Sequence, residues 1–442
     1  MKYLEAMEYI ESLAGLGSVP GLDNIAALCD KLDNPQNELR FIHIAGTNGK
    51  GSTLVFISSI LSASGMKVGR YISPTISTYL ERFQINGKPM SKSAFGTYVD
   101  IVKSACDKIV SEGGKHPTAF EIETAISFLY FRDKKCDIVL LECGMGGRLD
   151  ATNIVDTTVM EVFAHIDMDH MQFLGESLTD IAGEKAGIIK NGTAVVSTSQ
   201  YPSVSDVLRA RCHEQHATYT EIDRSDIDRV KHGRKGLELK YKGKKYKTGL
   251  IGTYQVDNAA LAIQTIETYN ELVEEKANAL VTDDPWWNKR KKISYETICK
   301  GLLLASWPGR LQILSAKPLI VIDGAHNPDA ARRLNESIDT YFAGLRKIVI
   351  IGMFRDKAVD EVVSMLCSDA DMVLTLATPG NPRALSSVEL ANIVCKYNNH
   401  VTSTDSVEEA VEMARMLADD NTLILACGSL SYLGKMIETV VK

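Results

Sequence analysis

The sequence lacks the features that would place the protein in a membrane, in an oxidising compartment or on a nucleic acid. Its longest apolar runs, such as 138–141, have the length of a strand and are far too short to span a membrane. The nine cysteines form no C-x-x-C pair, which favours reduced thiols in the cytoplasm. With 49 basic against 56 acidic residues, the chain is unlike a dedicated nucleic-acid binder, although a single nucleotide remains an acceptable ligand.

The first residues also lack the basic start and the apolar run of a secretory signal peptide. We therefore expect a cytoplasmic protein with neither a membrane nor a nucleic acid as partner.

What the sequence has is an alternation of short β-branched runs with helical patterns, which is typical of parallel α/β sheets. We predict an α/β fold with an N-terminal P-loop-type parallel-sheet ATPase domain over 1–305. A linker over 306–314 leads to a smaller, Rossmann-like C-terminal domain over 315–442. The segment 276–292 holds two tryptophans and a basic run, and we interpret it as a surface insertion in the first domain.

A glycine-rich loop, AGTNGKGS (45–52), lies between a predicted strand and a helix predicted over 54–65. Its glycines allow a tight turn whose N–H groups point at phosphate oxygens, and the helix dipole adds to the attraction. Lys50 is placed to reach the β- and γ-phosphates, and the hydroxyl of Ser52 or Thr53 to meet Mg²⁺. The loop departs from the strict G-x-x-x-x-G-K-[ST] pattern, so a turn without a ligand is the alternative.

Three more polar groups follow predicted strands or lie in short motifs. Glu142, in ECGMGGRLDATN, ends a buried strand and suits Mg²⁺ bound to ATP phosphates, unless it caps a helix or pairs with Arg148. His170, in HIDMDHMQFLG, is a candidate metal ligand or a structural histidine. Lys185, in GEKAGIIK, is either an ordinary cation, a phosphate ligand or, when deprotonated, an amine that reacts with CO₂.

Together with SP at 73–74, PGR at 308–310 and DGAHNP at 323–328, these motifs stand in a familiar order and at familiar separations. From about residue 40 to 430 the sequence resembles the folylpolyglutamate synthases and bifunctional dihydrofolate synthases of the Mur ligase family. The resemblance implies a ligase that adds L-glutamate to the carboxylate of a folate or of dihydropteroate, with ATP consumed through an acyl phosphate. It implies ATP and Mg²⁺ as cofactors, a monovalent cation as a further candidate, and a monomer.

Carried over motif by motif, the resemblance also implies the roles of individual residues. The ATP contacts are Thr47, Asn48, Gly49, Lys50, Gly51, Ser52, Asn258, Arg310 and Asp323. The metal ligands are Ser73, Glu142 and His170, and the catalytic residues are Lys50, His170 and Lys185, the last as a carbamate. The pterin or folate contacts are Arg82, Thr118, Phe120, Asp150 and Ala151, and the glutamate contacts are His326 and Ser429.

Two other functions compete with this interpretation. A Mur-type ligase acting on another carboxylate is the first, but the cell-wall members carry a UDP-sugar domain before the phosphate loop, and only 44 residues precede Ala45 here. The second is a nucleotide-binding switch without ligase chemistry, which leaves DGAHNP and Arg310 unexplained. Both a single activity and a double activity are compatible with the motifs.

Overall fold

The computed structural model describes residues 1–17, 20–278 and 284–441, and the chain forms two compact units. The first unit consists of Met1–Ser73, Leu80–Ile227 and Asp257–Leu304, and the second of Pro74–Tyr79, Asp228–Val256 and Ala305–Lys442. Two short excursions thus join the second unit ahead of the predicted linker. The domain boundaries predicted from the sequence, at residues 305 and 315, do not include these excursions. They stay a prediction.

The first unit is built on a sheet of eight strands. The strands are β1 (Phe41–Ala45), β2 (Val68–Tyr71), β3 (Phe83–Ile85), β4 (Lys88–Pro89), β5 (Ile138–Glu142), β6 (Thr158–Phe163), β7 (Ala194–Ser197) and β8 (Thr218–Glu221). Their order is β4-β3-β2-β5-β1-β6-β7-β8, and all pairs are parallel except β2 with β3 and β3 with β4. This is the predicted parallel α/β sheet.

The helices of this part of the chain surround the sheet. They are α1 (Tyr3–Ser12), α2 (Asp23–Lys31), α3 (Lys50–Ala63), α4 (Lys92–Ser111), α5 (Ala119–Asp133), α6 (Met171–Leu174), α7 (Leu178–Ala186), α8 (Pro202–Glu214), α9 (Gln255–Asn278) and α10 (Tyr295–Leu304). Because helices cover both faces, β1, β5 and β6 are buried along their whole length, which explains their continuous apolar sequences.

The second unit contains a three-stranded and a six-stranded sheet. Their strands are β9 (Ile227–Gly233), β10 (Gly236–Tyr241), β11 (Lys244–Thr248), β12 (Gln312–Ala316), β13 (Leu319–Ile322), β14 (Arg346–Ile351), β15 (Met372–Thr375), β16 (Val401–Ser403) and β17 (Thr422–Cys427). The helices are α11 (Pro328–Phe342), α12 (Val359–Cys367), α13 (Ser387–Val394), α14 (Val407–Leu417) and α15 (Leu433–Val441). The larger sheet runs β12-β13-β17-β14-β15-β16, parallel except for β12, as a Rossmann-like domain requires.

Two boundaries differ from the sequence prediction. The helix expected over 54–65 begins at Lys50, because Gly49 takes a φ of 90° and opens the helix directly after the turn. The predicted insertion 276–292 includes 279–283, which lie outside the described residues. Its later part is anchored, since the indole N–H of Trp286 donates to the Asp137 carbonyl at 2.8 Å and Arg290 pairs with the Asp137 carboxylate at 3.0 Å.

No helix in the described ranges combines the length and the apolar character that crossing a membrane needs.

Glu161 is a buried carboxyl group in the middle of β6. Burial raises its pKa from 4.5 to about 8, although its hydrogen bonds favour the ionised form. One carboxyl oxygen accepts the Lys190 N–H at 3.2 Å and the other lies 2.6 Å from the Thr193 hydroxyl, which is 3.0 Å from the Lys190 carbonyl. A protonated Glu161 can therefore donate to Thr193, which donates onward to Lys190, so that every polar group is satisfied.

This arrangement predicts a pH-dependent cost in stability. Between pH 4.5 and pH 8 the unfolded chain has Glu161 ionised whereas the folded chain has it protonated, so the free energy of unfolding falls as the pH rises through this window. Glu161→Gln keeps both contacts and cannot ionise, so it should flatten the profile by on the order of 5 kcal/mol. Urea unfolding of both proteins across the window measures the difference. Equal slopes would show that Glu161 is ionised in the folded protein.

Candidate active site

The predicted site residues of the first unit lie at one edge of its sheet. β2, β5, β1 and β6 are neighbouring parallel strands, so the segments that follow them leave the sheet on the same side. Ser73 follows β2, Glu142 is the last residue of β5, the loop 46–49 follows β1, and His170 lies in the segment after β6. The topology thus brings together residues that are up to 124 positions apart in the sequence.

The phosphate loop is fixed to the segment that follows β6. The N–H groups of Thr47 and Asn48 both donate to the His165 carbonyl, at 2.8 and 3.1 Å. The Thr47 hydroxyl donates to the Asp167 carbonyl at 2.8 Å and accepts the Asp167 N–H at 3.0 Å. These two N–H groups therefore anchor the loop, and recognition of phosphate falls to the first turn of α3, whose N–H groups have no acceptor within the helix.

Gly49 closes the loop against another predicted ATP contact. A Cβ atom at this position would lie 2.4 Å from Oδ1 of Asn258 and 3.6 Å from Cβ of Ala164. Asn258 is buried in the first turn of α9. The fold of the first unit thus joins two segments that the sequence separates by about two hundred residues.

Two lysines share the carbonyl oxygen of Gly46. Nζ of Lys50 and Nζ of Lys185 each donate to it at 3.0 Å, and Lys50 also donates to the Thr47 carbonyl at 3.3 Å. Lys185 is only 5% exposed. Burial, and after it the charge of Lys50, lowers the pKa of Lys185 to about 7. Near neutral pH the Lys185 amine is therefore neutral in a large fraction of the molecules, and a neutral amine is a nucleophile.

The predicted metal ligands offer a carboxylate, a hydroxyl and an imidazole. Glu142 is 5% exposed at the end of β5, Ser73 is half-buried, and the His170 side chain is 40% exposed. Arg148 pairs with Glu184 at 2.7 Å, so a pair between Arg148 and Glu142 is not what the structure shows. A carboxylate with few protein ligands beside it, completed by substrate phosphates, is the usual setting of Mg²⁺, and the donor set fits this ion.

The acidic residues around His170 accept hydrogen bonds from the backbone of the turn. Oδ1 of Asp167 accepts the Met168 N–H at 2.8 Å, and Oδ1 of Asp169 accepts the His170 N–H at 2.9 Å. His170 itself takes a φ of 53° at the start of α6. The two aspartates thereby hold His170 in a backbone conformation that few residues other than glycine adopt.

The predicted pterin contacts lie on both sides of α5. Thr118 caps this helix, since its hydroxyl donates to Oε2 of Glu121 at 2.8 Å and accepts the Glu121 N–H at 3.4 Å. The ring of Phe120 lies against Gly144, where a Cβ atom would approach Cζ to 2.6 Å. Only a glycine at 144 allows the ring to reach the loop that follows β5.

Arg82, another predicted pterin contact, is held by a residue that the sequence gave no reason to select. Its guanidinium pairs with Glu123 at 3.2 Å, and the two side chains are 18% and 6% exposed. A pair so enclosed is costly to break, because either partner alone would be a buried charge. Glu123 therefore determines where the Arg82 guanidinium is presented.

Asp150 organises the loop after β5 from the inside. Its Oδ2 accepts the Met145 N–H at 2.8 Å, and its Oδ1 accepts the Thr152 N–H at 3.0 Å and the Thr152 hydroxyl at 2.5 Å. Burial raises the pKa of Asp150, although these hydrogen bonds oppose the shift. Ala151, a predicted pterin contact next to it, is buried in the same turn.

His43 continues this network into the core of the sheet. Its Nε2 lies 2.9 Å from the Thr152 hydroxyl and 3.1 Å from Sγ of Cys143, and burial lowers its pKa to about 3. Because the Thr152 hydroxyl already donates to Asp150, the neutral imidazole must donate to Thr152 from Nε2. A chain of hydrogen bonds thus runs from β1 to the loop that follows β5.

In the second unit, Asp323 is enclosed by donors at the end of β13. It accepts the Tyr254 hydroxyl at 2.5 Å, the Leu311 N–H at 2.8 Å and the Ala325 N–H at 2.9 Å. Burial raises its pKa, and the nearby Arg310 guanidinium is the strongest influence in the opposite direction. Tyr254, which no motif marks, is the side chain that orients this carboxylate.

The two predicted glutamate contacts follow neighbouring strands of the six-stranded sheet. β13 and β17 are paired in parallel, and His326 and Ser429 lie just beyond their carboxyl ends. Nδ1 of His326 lies 2.8 Å from the Gly324 carbonyl, and the Ser429 hydroxyl accepts the Ser431 N–H at 3.3 Å. Both side chains are thus fixed to their own loops.

Comparison with known proteins identifies the class of protein that this fold and site define. Residues 44–266 match the Mur ligase middle domain, and residues 309–430 match the Mur ligase glutamate ligase domain. The chain is therefore an ATP-dependent ligase of the Mur type.

Individual relatives narrow the family. The dihydrofolate synthase/folylpolyglutamate synthase of Bacillus subtilis is 33% identical over 440 residues, which are 98% of this chain and 97% of that protein. The structure of Mycobacterium tuberculosis folylpolyglutamate synthase complexed with ADP has a TM-score of 0.86 and 29% identity, over 100% of this chain and 99% of that one. An FPGS–AMPPCP–folate complex has a TM-score of 0.83 and 30% identity, over 100% of both chains. The chain belongs to the dihydrofolate synthase/folylpolyglutamate synthase family, as the motifs predicted.

The close packing at Gly49 predicts the effect of a single methyl group. Gly49→Ala should destabilise the protein by roughly 2–4 kcal/mol and abolish nucleotide binding, because the Cβ atom collides with Asn258 and the backbone keeps a positive φ. Gly65→Ala is the matched control, since its φ of 94° imposes similar strain while no atom lies within 4 Å. Thermal unfolding and ADP titration compare the two variants. If both lose the same stability and both bind ADP normally, the contact with Asn258 has no part in the loop.

Proposed function

We propose that this ligase joins L-glutamate to the carboxylate of a folate, with ATP converted to ADP and phosphate. The observation that carries the proposal is the pair of lysines on the Gly46 carbonyl, at the sheet edge where Glu142 ends β5. Three anionic reactants have to meet in this reaction, and the edge supplies cations and helix N–H groups to receive them. The family of the chain supports folate as the carboxylate substrate.

In the proposed reaction, a carboxylate oxygen of the folate attacks the γ-phosphorus of ATP. The bond from this phosphorus to the bridging oxygen breaks, ADP leaves, and an acyl phosphate forms. The glutamate nitrogen then attacks the acyl carbon, the carbon–oxygen bond to phosphate breaks, and the nitrogen loses its proton. An amide, ADP and phosphate result.

In the proposed reaction, the phosphates of ATP are bound by the first turn of α3 and by Lys50. The N–H groups of that turn point away from the helix and suit the phosphate oxygens, and Lys50 begins the turn. As phosphate charge moves during transfer, a fixed ammonium group stabilises the transition state more than the ground state. Asn258, Arg310 and Asp323 are the further ATP contacts that we propose.

Ser73, Glu142 and His170 would hold Mg²⁺, which when bound neutralises phosphate charge and polarises the phosphorus–oxygen bonds. Glu142 is suited to this task because its carboxylate is buried at a strand end, where a cation offsets the cost of its charge.

Lys185 is proposed to act as a carbamate. The neutral amine attacks the carbon of CO₂, a nitrogen–carbon bond forms while the electron pair of one C=O π bond moves to oxygen, and the nitrogen releases one proton to solvent, so a neutral amine becomes an anion. The lowered pKa of about 7 supports this step because the amine is neutral without help from another base. An anionic Lys185 next to Lys50 would also replace a repulsion with an attraction.

Further proposals concern the substrate range, the cellular setting, the oligomeric state and an additional cofactor. We propose that dihydropteroate is a second carboxylate substrate, since the Bacillus subtilis relative is named for both activities. The nine cysteines, all of them in the described ranges, form no disulfide, which supports a cytoplasmic setting, and the net charge of −7 supports the absence of a nucleic-acid partner. The protein is proposed to act as a monomer. A monovalent cation is a further cofactor candidate.

Product analysis tests the proposed reaction. The protein is incubated with ATP, Mg²⁺ and L-glutamate, together with either tetrahydrofolate or dihydropteroate, and the products are identified by mass spectrometry. We expect one added glutamate residue for each ADP formed, with both acceptors. A product from only one acceptor would show that the protein has a single activity. ADP formed without any acceptor would favour a nucleotide switch. Failure with both acceptors would sink the folate assignment.

The carbamate is tested by substitution and chemical rescue. Lys185→Ala should lower kcat by roughly a hundredfold or more, because a charge that serves the transition state is lost, and formate or acetate should restore part of the activity. Lys185→Arg keeps a cation and should stay inactive with either salt. With ¹³C-bicarbonate, the wild type should show a carbamate NMR signal that declines below pH 7, where the amine is protonated. Full activity of Lys185→Ala would rule out the carbamate.

A further inference from the structure

Arg70 is a buried cation outside the site described above. It lies in β2, opposite Gln84 of the antiparallel neighbour β3 and opposite Leu140 of the parallel neighbour β5. The residue is buried, with only 8% of its surface exposed. Arginine is seldom buried to this extent without a partner for its charge.

The structure provides no such partner within the ranges that it describes. No carboxylate among these residues pairs with the guanidinium, and its Nε atom is enclosed without a hydrogen-bond acceptor. Burial alone lowers the pKa of Arg70 to about 10, which still leaves it charged at neutral pH. A buried charge without a partner lowers the free energy of unfolding by a large part of the small net stability of a folded protein.

The β3–β4 turn lies against the guanidinium and has a glycine at the position nearest to it. Asn86 and Gly87 form this turn with φ values of 48° and 76°. A Cβ atom on Gly87 would lie 3.7 and 3.8 Å from the two terminal nitrogens of Arg70, so with glycine at this position no side chain of the turn covers them. The Asn86 amide does not fill the gap, because its Oδ1 accepts the Val68 N–H at 2.7 Å and the Ser62 hydroxyl at 3.2 Å.

We propose that Arg70 and the β3–β4 turn form a binding site for a small oxyanion, either a phosphate group or a carboxylate. A planar guanidinium donates to two oxygens of such a group at once, which is the strongest pairing open to this side chain. Lys88, exposed directly after the turn, adds positive charge on the approach. The proposal concerns an edge of the sheet away from the phosphate loop and does not depend on the proposed reaction.

The stability of an Arg70→Met variant gives the first test. If the guanidinium lacks an anion in phosphate-free buffer, replacing it with an apolar side chain should leave Tm unchanged or raise it. Inorganic phosphate, added at constant ionic strength and with ADP saturating the phosphate loop, should raise the Tm of the wild type and not that of Arg70→Met. Lys88→Met, which removes only the exposed neighbour, should keep the response to phosphate.

Affinity and chemical class are measured by calorimetric titration of the same proteins. Arg70→Lys keeps the charge but loses the paired donors, so it should bind phosphate roughly tenfold more weakly. A response to phosphate but not to acetate or a short γ-glutamyl peptide would identify a phosphate site, and the reverse would identify a carboxylate site. A lower Tm of Arg70→Met in phosphate-free buffer would overturn the proposal, and so would a wild type that responds to neither phosphate nor a carboxylate, or a response that Arg70→Met shares with the wild type.

Discussion

The site depends on one carbonyl oxygen, that of Gly46, which receives the ammonium groups of Lys50 and Lys185 at 3.0 Å each. Two like charges on one acceptor inside a protein are tolerable only if one gives up its proton or an anion arrives. Both remedies are available here, since the pKa of Lys185 falls to about 7 and the loop faces the first turn of α3. The loop is thus prepared for the negative charge that the reaction brings.

The parallel α/β class of the first unit could be predicted from the sequence because its signals are long and repeated. Buried parallel strands such as β1 and β5 are uninterrupted apolar runs, and each ends where a polar motif begins. The same rule placed Glu142 and the phosphate loop at the carboxyl ends of strands, whereas Ser73 was selected by the family resemblance. The β3–β4 edge was not predicted, because a strand of three residues and one of two cannot show an alternating pattern.

The residues that support the site were harder to predict for a physical reason. Glu123, Tyr254 and His43 act through contacts with partners far away in the sequence, and no spacing rule marks such pairs. The roles of Thr47 and Asn48 could not be predicted either. The sequence pattern of the loop does not show that their N–H groups donate to the His165 carbonyl. Motifs therefore locate the chemistry, while the contacts that fix its geometry become visible only in the fold.

The central claim is that Lys185 is a neutral amine poised for conversion into an anion beside Lys50. A crystal structure of the protein grown with bicarbonate and ADP tests this most directly. The account predicts continuous density for a carboxylate group on Nζ of Lys185, with its oxygens turned towards cations. A bare side chain that still donates to the Gly46 carbonyl under these conditions would contradict it.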